Sequence, residues 1–413
     1  MSSNRLVQLV ALAITLACLL GNTFLTMPRI ESQRKELQLG FARSADESVP
    51  PTVAFASTML GTGRVFAING LWYEVEQLKQ DGKFAQINEM SRWIVHLQPR
   101  YPEVWRFMAW NMAYNVSVQC YTQEERWDWV NKGIRLLREE GLKYNPRAVR
   151  LYRELSWIFY HKMGQYSDDV QWYYKTRLAR EWQELLGAYS QGWEQEQVAD
   201  WFRKINEAPD ELTADDGTGL LQKNAKVAEV LALLKEAETP YEIETGTAAQ
   251  KQQQRERMLR AFGKVLMYNY TPRLEDLSFN IREQPANYDT AVLKILLKPE
   301  LREPVAALLQ HLRKRVLIDN YNMQPRDILE LVELFGPIDL RHPAAHGMYW
   351  GHLGIRAMTD TKSKDRIDYI NTLRQRIHTM QDFTDSGRIF FDPNVSFDDP
   401  QRRPLVLSND VRF

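Results

Sequence analysis

The 413-residue sequence is poor in cysteine and has no excess of charge of either sign. Cys18 lies in an apolar N-terminal run, so Cys120 is the single thiol of the remaining chain. A disulfide framework and a cysteine-based zinc site are therefore excluded. Basic and acidic residues number 53 each, so no overall charge attracts the protein to nucleic acid. We predict no nucleic-acid partner.

Glycine and proline are also sparse, with 20 and 18 residues. This scarcity disfavours sandwiches and barrels and favours helices. The sequence has no Gly-x-Ser-x-Gly or His-Glu-x-x-His motif, and Gly61-Thr62-Gly63-Arg64 lacks the Lys-Ser/Thr of a phosphate loop. We therefore predict no enzyme activity and no cofactor. Twelve Trp and eighteen Tyr suffice for a large core, either in two lobes or in a continuous solenoid.

Leu6 to Met27 is almost continuously apolar. As a helix this run would span about 33 Å, against about 30 Å of bilayer hydrocarbon. It predicts a single-pass transmembrane anchor over residues 1–28, with a cleaved signal peptide or a lipid on Cys18 as alternatives. Arg5 precedes the run and more cations follow it. The positive-inside rule alone would keep the domain cytoplasmic, but long domains translocate largely regardless of charge, and we expect the extracytoplasmic side.

The rest of the chain divides by polarity and by helical periodicity. We predict a juxtamembrane stalk over 29–51, a helical lobe over 52–187, a polar helical connector over 188–257, a second helical lobe over 258–386 and an extended tail over 387–413.

An internal repeat lies in the first lobe. Pro99-Arg100 is followed by Val104-Trp105-Arg106 and Trp110, and Pro146-Arg147 is followed by Leu151-Tyr152-Arg153 and Trp157. The offset is 146 − 99 = 47 residues, and it holds for every pair. Two helices are therefore expected to begin in the same way, each with Pro at or before its first turn. Such repeats bury their apolar faces by stacking on one another.

These residues resemble the tetratricopeptide repeat, a helical hairpin with aromatic and small residues at fixed places. The matching positions are Gly82, Phe84 and Pro99 in an early repeat, Trp105 and Pro146 at the repeated helix starts, Tyr152, Leu155, Ser156 and Phe159 in the next first helix, Gly164-Gln165-Tyr166 in its turn, and Trp350, Gly351, Leu353 and Gly354 in a late repeat. The resemblance implies an all-α fold, a tetratricopeptide-like superhelix of hairpins behind one transmembrane helix. The whole pattern is similar to membrane-anchored bacterial repeat proteins without an assigned activity.

In such hairpins the first helices line a concave groove, so the resemblance implies a partner-binding set of Arg106, Asn111, Arg153 and Tyr160. Equivalent cations on successive helices can bind a partner's carboxylates. In the alternative interpretation, both arginines only cover neighbouring Trp rings and cap their own hairpins. We expect a scaffold or adaptor that binds an unidentified protein through this groove, in a bacterial envelope complex.

Two other functions remain open at this stage. His342 and His346 are four residues apart, so two imidazoles on one helix turn would make a weak metal candidate, and with it a metal-dependent enzyme. Packing or capping is the other interpretation of these histidines, since Pro343 places His342 at a helix start. The third function is a structural envelope protein whose repeats mediate self-association.

Overall fold

The computed structural model describes residues 63–187, 194–237, 240–268, 290–360, 366–387, 389–391 and 405–407, with a few isolated positions before residue 33. Contacts divide the chain into Met1–Gly61 and Thr62–Phe413. In the first unit the described positions from Ala11 to Ala17 are helical and exposed. Most of the predicted anchor (1–28), stalk (29–51) and tail (387–413) lies outside the described residues. Among the helices that the structure describes, none is both long enough and apolar enough to cross a bilayer.

The second unit is mostly helical, which confirms the all-α prediction. Its helices are α1 Gly63–Gln80, α2 Phe84–Leu97, α3 Pro102–Trp110, α4 Gln123–Arg135, α5 Val149–Trp157, α6 Gln171–Leu186, α7 Gln195–Glu207, α8 Leu220–Lys223, α9 Val227–Lys235, α10 Ala248–Tyr268, α11 Thr290–Leu296, α12 Arg302–Asp319, α13 Pro325–Phe335, α14 Pro343–Asp360 and α15 Arg366–Ser386. Two short antiparallel strands follow, β1 Ile389–Phe391 and β2 Leu405–Leu407.

Local sequence explains where several of these helices begin and end. Gly82 has a φ of +70° in the turn between α1 and α2, a conformation that favours glycine. Pro102 occupies the first turn of α3, where its missing N–H costs nothing. Thr122 caps α4 through a capping box with Glu125. Helix α1 packs on α2, and α3 packs on α4.

Helices α3 and α5 have the same length, and their bounds differ by the 47 residues of the sequence repeat. Both continue into a π-helical segment, Asn111–Val116 after α3 and Ile158–Gly164 after α5. Equivalent hydrogen bonds connect the N-terminal part of each helix to the chain that precedes it. Trp105 Nε1 donates to Pro99 O at 2.7 Å, and Tyr152 Oη donates to Pro146 O at 2.8 Å.

The two helices also lie side by side in register. Arg150 contacts Glu103, its counterpart 47 residues earlier, at 3.0 Å. Tyr114 and His161, also 47 residues apart, are within 3.3 Å. In both pairs a residue lies next to its own repeat equivalent.

Helix α14 packs between α5 and α15 along a face of glycines. A Cβ on Gly347 would lie 2.7 Å from Thr379 Cγ2 of α15, and one on Gly354 would lie 3.1 Å from Tyr152 Cβ of α5. Ser156 of α5 donates to Gly347 O at 2.7 Å. The missing side chains let both neighbours approach the α14 backbone closely.

A single core runs through the second unit and includes residues from both predicted lobes. Trp105, Trp182 and Trp350 are each almost completely buried in it, together with Leu155 and Phe159. Helix α10 packs on α6, and α12 packs on α10. The unit Thr62–Phe413 is thus one compact body.

Candidate functional site

The surface carries a cavity of about 440 Å³ where α3, α5 and α15 meet. Helix α3 contributes Arg106 and Trp110 to its lining. The other lining residues are Arg153, Glu154 and Trp157 from α5, and Asn371, Arg374, Gln375 and His378 from α15. The repeat explains half of this arrangement, because Arg106 with Arg153 and Trp110 with Trp157 are pairs at the 47-residue offset.

Both arginines chosen from the sequence line this cavity, and both hold ion pairs. Arg106 lies 2.8 Å from Glu103, and Arg153 lies 2.7 Å from Asp368 of α15. Asp368 also binds Arg150 at 2.9 Å. The two guanidinium groups lower the pKa of Asp368, although its burial acts in the opposite direction. One of the two arginines that the sequence predicted for partner binding, Arg153, is therefore already paired with a carboxylate of α15.

Helix α15 supplies two further basic side chains that sequence reasoning missed. Arg374 and His378 are exposed and line the cavity. Arg374 forms no ion pair with any residue in the described part of the chain. These residues lie more than 200 positions from Arg106, and the packing of α15 on α14 and α5 brings them here. No local motif in the sequence marks them.

Glu154 is a buried acid in the cavity lining. Its Oε2 lies 3.8 Å from Arg106, and its Oε1 is buried without a hydrogen-bond partner in the described part of the chain. Burial raises the pKa of Glu154 to about 7, against the opposing charges of Arg106 and Arg153. The lining has three arginines and one partly protonated carboxyl. Because Glu103 pairs with Arg106 and Asp368 pairs with Arg153, the excess positive charge of the lining is that of Arg374.

Two indoles complete the lining. Trp110 is 39% exposed and stacks on Tyr114 with ring centroids 5.7 Å apart. Trp157 is half-buried and stacks on His161 at 4.6 Å. These contacts fix the rings and leave Trp110 open to a ligand. Rigid aromatic surface beside arginine is typical of protein-binding sites.

The other two residues of the predicted partner-binding set do not line the cavity. Asn111 is buried and donates to Asn88 Oδ1 at 3.1 Å, which ties α3 to α2. Tyr160 is half-buried, and its ring centroid lies 6.3 Å from that of His378. Burial raises the pKa of Tyr160.

The histidine pair lies in the core. His342 precedes α14, and its Nδ1 accepts from the backbone N–H of Ala344 at 3.0 Å, which caps the helix. His346 Nε2 donates to Leu340 O at 2.8 Å, and its ring stacks on Phe159. Both side chains are fully buried, which lowers the pKa of His342 to about 4 and that of His346 to about 3.

No group of three or more His, Cys, Asp or Glu able to hold a metal ion occurs among the described residues. The two nitrogens of His342 and His346 used in backbone hydrogen bonds are not available as ligands. Their geometry is that of packed and capping side chains.

A second, smaller cavity of about 310 Å³ lies where α5, α13 and α14 meet. Its lining includes four residues of the tetratricopeptide-like pattern, beside the Asp327–Arg356 ion pair of 2.7 Å: Pro146, Tyr152, Trp350 and Leu353. Trp350 is buried and its ring lies 6.4 Å from that of Tyr152. The pattern residues therefore have a packing role at this junction.

Comparison with known proteins gave no family model, no curated protein and no solved structure that matches this chain.

Proposed function

We propose that the protein is a membrane-anchored, tetratricopeptide-like scaffold or adaptor that binds a protein partner through the cavity between α3, α5 and α15. The observation that carries this proposal is the lining itself. Arg106, Arg153 and Arg374 converge there beside Trp110 and Trp157. Arginine and tryptophan are the side chains that most often dominate protein–protein binding energy.

The charge of the lining favours an acidic partner. Glu154 is its one carboxyl, and it is largely buried. Arg374 is exposed and can form a charge-assisted hydrogen bond with a partner carboxylate. In this proposal Arg106 and Arg153 stabilise the walls of the cavity through their ion pairs with Glu103 and Asp368. Arg374 makes the direct contact with the partner.

The repeat geometry supports the tetratricopeptide-like part of the proposal. Successive first helices α3 and α5 stack in register, and the hairpin of α14 and α15 packs on α5 as a further unit. A solenoid of this kind exposes one concave face to partners. The apolar run Leu6–Met27 supports an N-terminal anchor, with the domain on the extracytoplasmic side in a bacterial envelope complex.

Site-specific photocrosslinking in intact cells tests the proposal. A photoreactive amino acid replaces Trp110 or Arg374 in the full chain, and in a control it replaces Tyr121, which is fully exposed and does not line the cavity. We expect the same partner protein to be crosslinked from positions 110 and 374 and not from position 121. Charge reversal by Arg374→Glu should reduce the yield from position 110 at least fivefold.

Other outcomes would reject the proposal. Absence of any adduct from both cavity positions, in cells where the protein is present at its normal level, rules out partner binding at this cavity. Adducts made only with a second copy of the chain would instead favour the self-assembling structural protein.

A further inference from the structure

An ordinary surface helix buries apolar side chains and exposes polar ones. Helix α15 has the opposite arrangement. The side chains that it buries are polar. Thr372 and Thr379 are completely buried and Gln375 is nearly so. Gln375 Nε2 donates to Arg153 O of α5 at 2.9 Å, and each threonine hydroxyl donates to a carbonyl of the preceding turn. The glycine face of α14 accommodates the two threonine methyl groups.

Apolar residues in the middle of α15 face outward instead. Ile370 is 43% exposed, Ile377 is 48% exposed and Met380 is 37% exposed, while Leu373 is half-buried between them. The spacing of these four residues is 3, 4 and 3. This is the a and d spacing of a two-helix seam, in which each side chain inserts between side chains of a facing helix. We call these four residues the α15 stripe.

The α15 stripe adjoins the cavity described above. Asn371, Arg374 and His378 line the cavity, and each follows a stripe residue directly in sequence. On a helix, consecutive residues are about 100° apart, so the stripe and the basic side chains form neighbouring faces. A ligand that lies on the stripe therefore has Arg374 and His378 along one side.

We propose that the α15 stripe docks an amphipathic helix of the partner protein, with acidic side chains of that helix placed against Arg374 and His378. This inference rests on the proposed function and specifies the kind of partner. The apolar seam supplies the contact area, and the basic edge selects acidic helices and sets their orientation.

Two other occupants fit the stripe less well. A second copy of this chain would bring its own Arg374 to a symmetric interface, where the two like charges repel. A bilayer surface has no helical side chains to insert at the spacing of Ile370, Ile377 and Met380. A helix is narrow enough to lie along such a seam.

Two synthetic peptides test the proposal with the full-length protein in lipid nanodiscs. Both are 21-residue helices with leucine at every a and d position. One has glutamate at the e and g positions, and the other has lysine there. Fluorescence anisotropy should show that the glutamate peptide binds at least tenfold more tightly than the lysine peptide. The double variant Ile370→Asp/Ile377→Asp should lose this binding, while Val118→Asp, an equally exposed apolar site outside the seam, should keep it.

The result can be separated from that of the proposed function. Equal affinity for both peptides, or binding that survives Ile370→Asp/Ile377→Asp, overturns the inference. Photocrosslinks from position 377 to lipid or to a second copy overturn it as well. Crosslinks to a partner from positions 110 and 374 but none from 377 would leave the adaptor intact and reject only the helix docking.

Discussion

At the residue scale, the buried histidines show how folding changes the chemistry of a side chain. The sequence pattern allowed His342 and His346 to be metal ligands or packing residues. In the structure both are neutral core groups with lowered pKa values, about 4 and about 3. One nitrogen of each imidazole, His342 Nδ1 and His346 Nε2, bonds the backbone and is not available to a metal. The capping role of His342 was foreseeable from Pro343, but the burial of His346 depends on α6, which is distant in sequence.

These histidines predict a loss of stability in mild acid. Between pH 6.5 and the lowered values, the unfolded chain binds protons that the native state excludes, so stability is complete above about pH 6.5 and falls as the pH decreases. Each histidine should change the folding equilibrium by up to about tenfold per pH unit. Urea unfolding from pH 7.5 to pH 4.5 measures the slope. The decrease in stability per pH unit should be smaller in His346→Gln. It should be unchanged in His96→Gln, because His96 is exposed.

The raised pKa of Glu154 predicts the opposite dependence, a contribution to stability that decreases as the pH rises. Between pH 4.5 and about 7 the native state keeps a proton that the unfolded chain releases, so this group costs stability as the pH rises. The difference corresponds to about 3 kcal/mol of folding free energy. Glu154→Gln should therefore raise the melting temperature more at pH 8 than at pH 5. Glu103→Gln is the matched control, because the lowered pKa of Glu103 predicts a loss of stability at neutral pH. A decrease with both variants at pH 8 would contradict the assignment.

At the element scale, glycine positions decide how closely helices approach. A Cβ on Gly263 of α10 would lie 1.8 Å from the carbonyl oxygen of Glu184 at the end of α6, whereas one on Gly70 of α1 would meet nothing within 4 Å. Gly263→Ala should thus cost about 3 kcal/mol or more, because backbone atoms must move. Gly70→Ala should stabilise the protein by about 1 kcal/mol through helix propensity. Thermal unfolding of both variants tests the pair, and equal effects would show that α10 does not cross α6 at Gly263.

The repeated helices α3 and α5 predict unequal costs for equivalent substitutions. Trp105 is 1% exposed, so Trp105→Ala should cost about 3–5 kcal/mol. Tyr152 occupies the same place in the repeat but is only half-buried, so Tyr152→Ala should cost clearly less. Chemical denaturation gives both values. A smaller loss for Trp105→Ala would contradict this burial pattern.

The same two helices indicate what the sequence could and could not reveal. The 47-residue offset appears in the sequence, and it relates α3 to α5 in the structure because both helices bury equivalent positions, Val104 with Leu151 and Met108 with Leu155. The ion pair of Arg153 with Asp368 could not be read from that pattern. It depends on α15 packing against α14 and α5, through Thr372 and Thr379 on a glycine face, and polar buried residues give no hydrophobic periodicity.

At the scale of the whole molecule, contacts join the segments that the sequence divided into two lobes. Arg138 donates to Asn320 O at 3.1 Å, and Asn322 donates back to Arg138 O at 2.8 Å. Ser156 donates to Gly347 O, and the Trp182 and His346 rings lie 4.5 Å apart. Such buried contacts couple the stability of residues 63–187 to that of residues 290–387.

We therefore predict one cooperative unfolding transition for the unit Thr62–Phe413. In nanodiscs, urea curves from far-ultraviolet circular dichroism and from tryptophan fluorescence should coincide. Trp105→Ala in α3 and Gly263→Ala in α10 should each shift the whole curve, because neither region keeps its core when the other unfolds. Hydrogen exchange read by mass spectrometry should then show amides of α5 and α14 opening together. Two separated transitions, each shifted by only one of the variants, would instead establish two independent lobes and would leave the contacts between α5 and α14 without a role in stability.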